Sequence, residues 1–134
     1  MKQVAIEAWF VFPTVDFDGT LCVDEFPKIG AANWGLIGYL LNKQKQGARL
    51  ILWTCRCDKA LDDAVAWCRR KGLIFDAVND NIPGLTAAMH NSNSRKVYAD
   101  IYIDDRAGTY DFNERMSDDC IYDIKLPFRG EENE

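Results

Sequence analysis

The chain has little histidine, a minority of basic residues and no long apolar run, and each shortage closes off a class of function. Its one histidine, His90, stands in a polar stretch with no Ser, Cys or acid patterned around it, so hydrolysis built on a histidine base is discounted. No apolar run approaches the ~20 residues of a membrane-spanning helix, and Met1 to Ala8 lacks the apolar core and cleavage site of a secretory leader. Lys and Arg number 16 against 21 Asp and Glu, and the net charge of −5 argues against non-specific nucleic-acid binding through a basic patch. The five cysteines are odd in number and show no paired zinc spacing. Cys55-Arg56-Cys57 is too tight to chelate alone, and Cys68 reads as a buried helical residue, so reduced thiols in a cytoplasmic protein are expected. With 134 residues and no low-complexity tract, the chain fits one domain, over residues 1–128, with a disordered tail at 129–134.

What is present is an alternation of strands and helices. Trp9 to Val15 is apolar, aromatic and β-branched, as a buried strand is. Pro13 is awkward within it, because it deletes a ladder donor; a start at Thr14, with Val4 to Phe12 as a separate strand or arm, is the alternative. Cys22 to Lys28 reads as a loop around Pro27, followed by a helix capped by Asn33 and ending at Gly47. Arg49 to Thr54 is a second strand. Asp58 then caps a helix that runs to Arg69-Arg70-Lys71 and stops at Gly72. Leu73 to Val78 and Val97 to Ile103 are further strands, with a turn-rich loop from Asn79 and a short helix near residues 85–90 between them. Ile121 to Ile124 is a candidate edge strand. Such alternation predicts an α/β fold, a three-layer α/β/α Rossmann-like parallel sheet.

The chemistry gathers where those strands end. Asp16-Phe17-Asp18-Gly19-Thr20-Leu21 puts two carboxylates at the carboxyl end of the first strand, where open α/β sheets carry their sites. Two close carboxylates repel unless a cation lies between them, and short oxygen ligands suit Mg²⁺. Asp-x-Asp-Gly-Thr-Leu after an apolar strand resembles the first motif of the haloacid dehalogenase (HAD) superfamily of phosphohydrolases. Leu50 to Thr54, an apolar strand ending in a hydroxyl residue, is similar to its second motif, and Val97 to Asp105, ending in Asp104-Asp105, to its fourth.

The resemblance implies a Mg²⁺-dependent phosphatase that acts on a phosphomonoester through an aspartyl-phosphate. Asp16 is then the nucleophile and Asp18 the general acid and base. Asp16, the backbone carbonyl of Asp18, and Asp104 hold the metal, with Asp105 a ligand or its orienter. Thr54 and the backbone N–H groups of the loop through Gly19 and Thr20 bind the transferring phosphoryl group. The third motif departs from the pattern. Lys96 is the basic candidate for phosphoryl binding, yet along a continuous strand it would start ~23 Å below Asp104. Arg56, after Thr54, is the alternative, since Thr-x-Arg follows this strand in several family members and Arg makes bidentate phosphate contacts. Both remain candidates.

The gaps between motifs leave no room for a cap domain. An open site admits a small phosphomonoester or a larger, macromolecular phosphate, or is closed by a neighbouring subunit of a homo-oligomer. Nothing selects the substrate, although Asn79, past a strand end, is placed to hydrogen-bond one. A weakly active phosphate-binding or regulatory protein on the same fold is the competing reading.

Overall fold

The structure, a computed structural model, describes residues 12–84, 93–107 and 125–131. In chain order it comprises β1 (Pro13–Val15), a hairpin of β2 (Cys22–Glu25) and β3 (Lys28–Ala32), α1 (Trp34–Lys45), β4 (Ile51–Leu52), α2 (Asp58–Arg70), β5 (Ala77–Val78) and β6 (Ile101–Ile103). The main sheet has the order β5-β4-β1-β6, and every neighbouring pair is parallel. This is the α/β architecture that the alternating elements predict. Because all four strands run the same way, the residues after β1, β4, β5 and β6 emerge at one edge of the sheet.

Pro13 belongs to β1 after all. It is the first residue of the strand and pairs with Ile101, whereas the ladder with β4 begins only at Thr14. At that position the missing N–H interrupts no bond on the β4 side. The other strands are shorter than the sequence suggests, and long-range polar side chains explain why. Leu50 N–H donates to Asp76 Oδ2 at 2.8 Å, Ile74 N–H to Gln44 Oε1 at 2.8 Å and Tyr98 N–H to Asn81 Oδ1 at 2.8 Å. Backbone donors that would lengthen β4, β5 and β6 thus pair with side chains instead of strands.

Both of the described helices pack on the same face. Leu36, Ile37 and Leu40 of α1 and Ala64, Trp67 and Cys68 of α2 join Val15, Leu50, Leu52, Ile101 and Ile103 in one core. The opposite face carries a smaller cluster of Ile51, Ile82 and Val97, with Phe12, Trp53 and Ala77 against it. Asn33 caps α1, accepting from Leu36 N–H at 3.3 Å, as its sequence position predicts. Asp58 does not cap α2: the capping residue is Cys57, in extended conformation, and Asp58 is the first helical residue with φ 53°. Among the described cysteines, Cys22 and Cys68 are buried and burial pushes their thiols up to about 12, while Cys55 and Cys57 are exposed.

The segment expected to loop around Pro27 is instead an antiparallel hairpin. Cys22 pairs with Ala32, Asp24 with Ile29 and Glu25 with Lys28, with an irregularity between Cys22 and Asp24. In β2 buried Cys22 and half-buried Val23 are followed by exposed Asp24 and Glu25, so it lacks the apolar alternation that marks a strand in sequence. The final segment, 125–131, returns to the site, where Phe128 N–H donates to Gly19 O at 2.7 Å. Of the expected tail, residues 129–131 are among the described residues and 132–134 lie outside them. The short helix near 85–90, His90, the edge strand at 121–124 and the N-terminal stretch before Phe12 lie outside the described residues.

Candidate functional site

Strand order sets the site. β1 and β6 are neighbours, and Asp16 N–H continues their ladder to Ile103 O at 2.9 Å, so Asp16 and Asp104 are the first residues past adjacent strand ends. One carboxylate oxygen from each of Asp16, Asp104 and Asp105 lies within 4.8 Å of the others. Thr20, fully buried, knits the group together. Its Oγ1 donates to Asp16 Oδ2 (2.9 Å), lies 3.2 Å from Asp105 Oδ1, and accepts from Asp105 N–H (3.1 Å). A hydroxyl has a single proton, so two carboxylates compete for it. Asp104 is oriented separately, accepting from Arg106 N–H at 2.9 Å. Gly19 is required by this packing: its φ is +86°, and a Cβ there would lie 2.7 Å from Asp105 Oδ2.

The electrostatics of the cluster are unfavourable as it stands. Burial, then the neighbouring charge of Asp104, pushes the Asp16 carboxyl from 3.8 to about 7. Arg106 faces Asp105 only at 4.0 Å and is itself exposed, so it offsets little. Three hard oxygen donors that converge in this way are a donor set that fits a divalent ion such as Mg²⁺.

Beside the acids lies a cavity of about 270 Å³ lined by Asp16, Trp53, Thr54, Cys55, Asn79 and Asp104. Asn79, with φ 55°, accepts from Thr54 N–H at 2.7 Å and so ties the end of β4 to the end of β5. Its carbonyl oxygen is thus engaged in holding the loop. Thr54 Oγ1 accepts from Arg56 N–H at 3.1 Å, which leaves the hydroxyl proton available to a ligand in the cavity. Trp53 and Cys55 as wall residues were not legible in the sequence; their only signal was adjacency to Thr54.

Asp18 and Arg56 stand apart from the cavity lining and bind each other. Arg56 Nε reaches Asp18 Oδ2 and Nη2 reaches Asp18 Oδ1, both at 2.8 Å. The remaining guanidinium donors go to the carbonyls of Pro27 (3.1 Å), Ala60 (3.2 Å) and Lys28 (3.0 Å). Bidentate contact with a phosphate would require Arg56 to abandon these partners, so in this arrangement its fork grips a carboxylate of the chain instead. Lys96 is no closer to the role. β6 does begin late, at Ile101, yet Lys96 Nζ sits 5.5 Å from the ring centroid of Tyr102, and among the described residues no Lys or Arg lines the cavity.

Fold and site together define a class: a parallel α/β domain with an acidic cluster and a polar-edged cavity at the carboxyl ends of its strands. No protein-family model matches the chain, and a search of curated proteins gives no match. A solved structure of a conserved protein from Bacteroides thetaiotaomicron aligns with a TM-score of 0.66 and 38% identity, over 81% of this chain and 89% of that one. At that identity across most of both chains, this protein belongs to the family of that conserved Bacteroides protein. Among the described residues no helix is long and apolar enough to cross a membrane.

Proposed function

We propose that the protein is a Mg²⁺-dependent phosphohydrolase of the HAD type, hydrolysing a phosphomonoester through an aspartyl-phosphate on Asp16. The observation that carries this reading is the convergence of Asp16, Asp104 and Asp105 at adjacent parallel strand ends, beside a cavity that also presents Thr54. Asp16, Asp104 and Asp105 would hold the metal, which when bound neutralises charge on the phosphoryl oxygens. A carboxylate oxygen of Asp16 attacks phosphorus, and the bond to the leaving oxygen breaks. Thr54 donates its hydroxyl proton to a phosphoryl oxygen, and this bond strengthens as charge builds there. Water then attacks the phosphoryl group, giving inorganic phosphate and regenerating Asp16. Each Asp18 oxygen keeps a lone pair beyond its bond to Arg56, so Asp18 is able to accept the proton of that water. That lone-pair site carries the proton that Asp18 delivers to the leaving oxygen in the first step and receives back from water in the second, so neither step breaks its pair with Arg56.

The absence of a Lys or Arg from the cavity lining among the described residues favours a second reading, a phosphate-binding protein with little turnover. Incubating the purified protein with a panel of phosphomonoesters separates the two. Phosphate release that needs Mg²⁺, stops with chelator and is lost in Asp16→Asn supports the enzyme. Mg²⁺-dependent binding of phosphate without release from any panel member supports the binding protein.

A further inference from the structure

Arg56 is 3% exposed, and all five N–H donors of a guanidinium find acceptors here: two on Asp18 and three on carbonyls. Two aromatic rings lie against it as well, with the centroids of Phe17 and Phe26 each 5.0 Å from Cζ. A buried cation is tolerated only when paired and fully hydrogen-bonded, and this one is. What it joins matters more than its own stability. Asp18 follows β1; Phe26, Pro27 and Lys28 form the tip of the β2–β3 hairpin; Ala60 lies in the first turn of α2. The hairpin is a separate two-stranded sheet that shares no ladder with the main one; its base is held by backbone bonds such as Gly19 N–H to Cys22 O (2.9 Å), and tethers of the Arg56 kind fix its tip.

We propose that Arg56 is a positioning residue that clasps the Asp18 carboxylate and the hairpin tip into one unit anchored on α2. Placing the hairpin then places Asp18, and Arg56 itself makes no contact with the phosphoryl group. The catalytic part of this inference rests on the function proposed above; the structural part does not. Lysine is no substitute, because a single ammonium has three donors and no fork to hold both Asp18 oxygens. Phe26 is itself 59% exposed at the tip, yet its ring helps keep the guanidinium out of solvent.

Two measurements on Arg56→Lys, Arg56→Ala and Asp18→Asn test this. In amide hydrogen exchange, the amides of residues 22–32 should exchange about tenfold faster than in wild type in all three variants, with those of β1 and β4 little changed. Arg56→Lys and Asp18→Asn keep that test usable should Arg56→Ala fail to fold. Hairpin protection equal to wild type in Arg56→Lys and Asp18→Asn overturns the clasp. In turnover, Arg56→Lys should lower kcat by about 10²-fold with KM unchanged, and in an Asp18→Asn background it should lower it no further. A rise in KM that persists in the Asp18→Asn background would show that Arg56 contacts phosphate and refute the proposal. If wild type releases phosphate from no substrate, the functional reading falls, and the exchange result alone decides the clasp.

Discussion

Gly19→Ala strikes the loop that carries the carboxylates, and its effect can be worked out from three contributions. The backbone there has φ +86°, and an L-residue in the left-handed region costs about 1–2 kcal/mol. The new methyl would lie 2.7 Å from Asp105 Oδ2, too close for non-bonded atoms, so Asp105 must swing aside. That movement gives up the contact of Asp105 Oδ1 with the Thr20 hydroxyl, now 3.2 Å, whose one proton is shared with Asp16, at about 1 kcal/mol. Restricting the unfolded chain returns about 0.4–1 kcal/mol. The net loss is about 2 kcal/mol, which in a domain of this size lowers Tm by roughly 6–10 °C. Differential scanning calorimetry in chelator measures the fold alone, and a Mg²⁺ titration of the same variant should show weaker binding, since a candidate ligand has been displaced. A variant that melts within about 2 °C of wild type would refute the packing of Gly19 against Asp105.

Gly38→Ala is the matched control: Gly38 is exposed within α1 and an added Cβ meets nothing within 4 Å, so this change should stabilise by about 0.5–1 kcal/mol; a lower Tm would contradict the placement of that helix. In chelator, Asp16 keeps its proton in the folded state to about pH 7 while the unfolded chain releases it near 3.8, so its contribution to stability is full at low pH and is lost as pH rises through about 7. Asp16→Asn should flatten this part of the Tm-against-pH profile, and an unchanged profile would remove the strain assigned to Asp16. Mg²⁺ at a hundredfold its Kd should stabilise wild type by about 2.7 kcal/mol, and Asp104→Asn should lose most of this shift; equal shifts in both proteins would place the ion elsewhere. Thr54→Val should lower kcat by about 10²-fold while Thr54→Ser retains most of it, and equal losses in the two would deny the hydroxyl its role.

Elements whose signals are local were legible in the chain before any folding. The run of apolar residues ending in Asp16, the pair Asp104-Asp105 after another such run, and Thr54 after a third all sit where their strands end, because a buried parallel strand must be apolar and the residue that breaks it must be polar. Asn33 was legible as a cap for the same reason: the side chain serves a donor only three residues away. Tertiary structure decided everything that depends on partners far along the chain. The strand lengths were unreadable because Gln44, Asp76 and Asn81 capture donors that local pattern assigns to a sheet. The hairpin was unreadable because an exposed ribbon buries too little to impose an apolar alternation. Above all, Thr54-Cys55-Arg56 gave Arg56 the look of a phosphate ligand. Only the fold shows that Asp18 and the carbonyls of Pro27, Lys28 and Ala60 converge on the same guanidinium. A buried cation takes whichever acceptors surround it, and which acceptors those are is a property of the packed chain, since 38 residues separate Arg56 from the carboxylate that neutralises it.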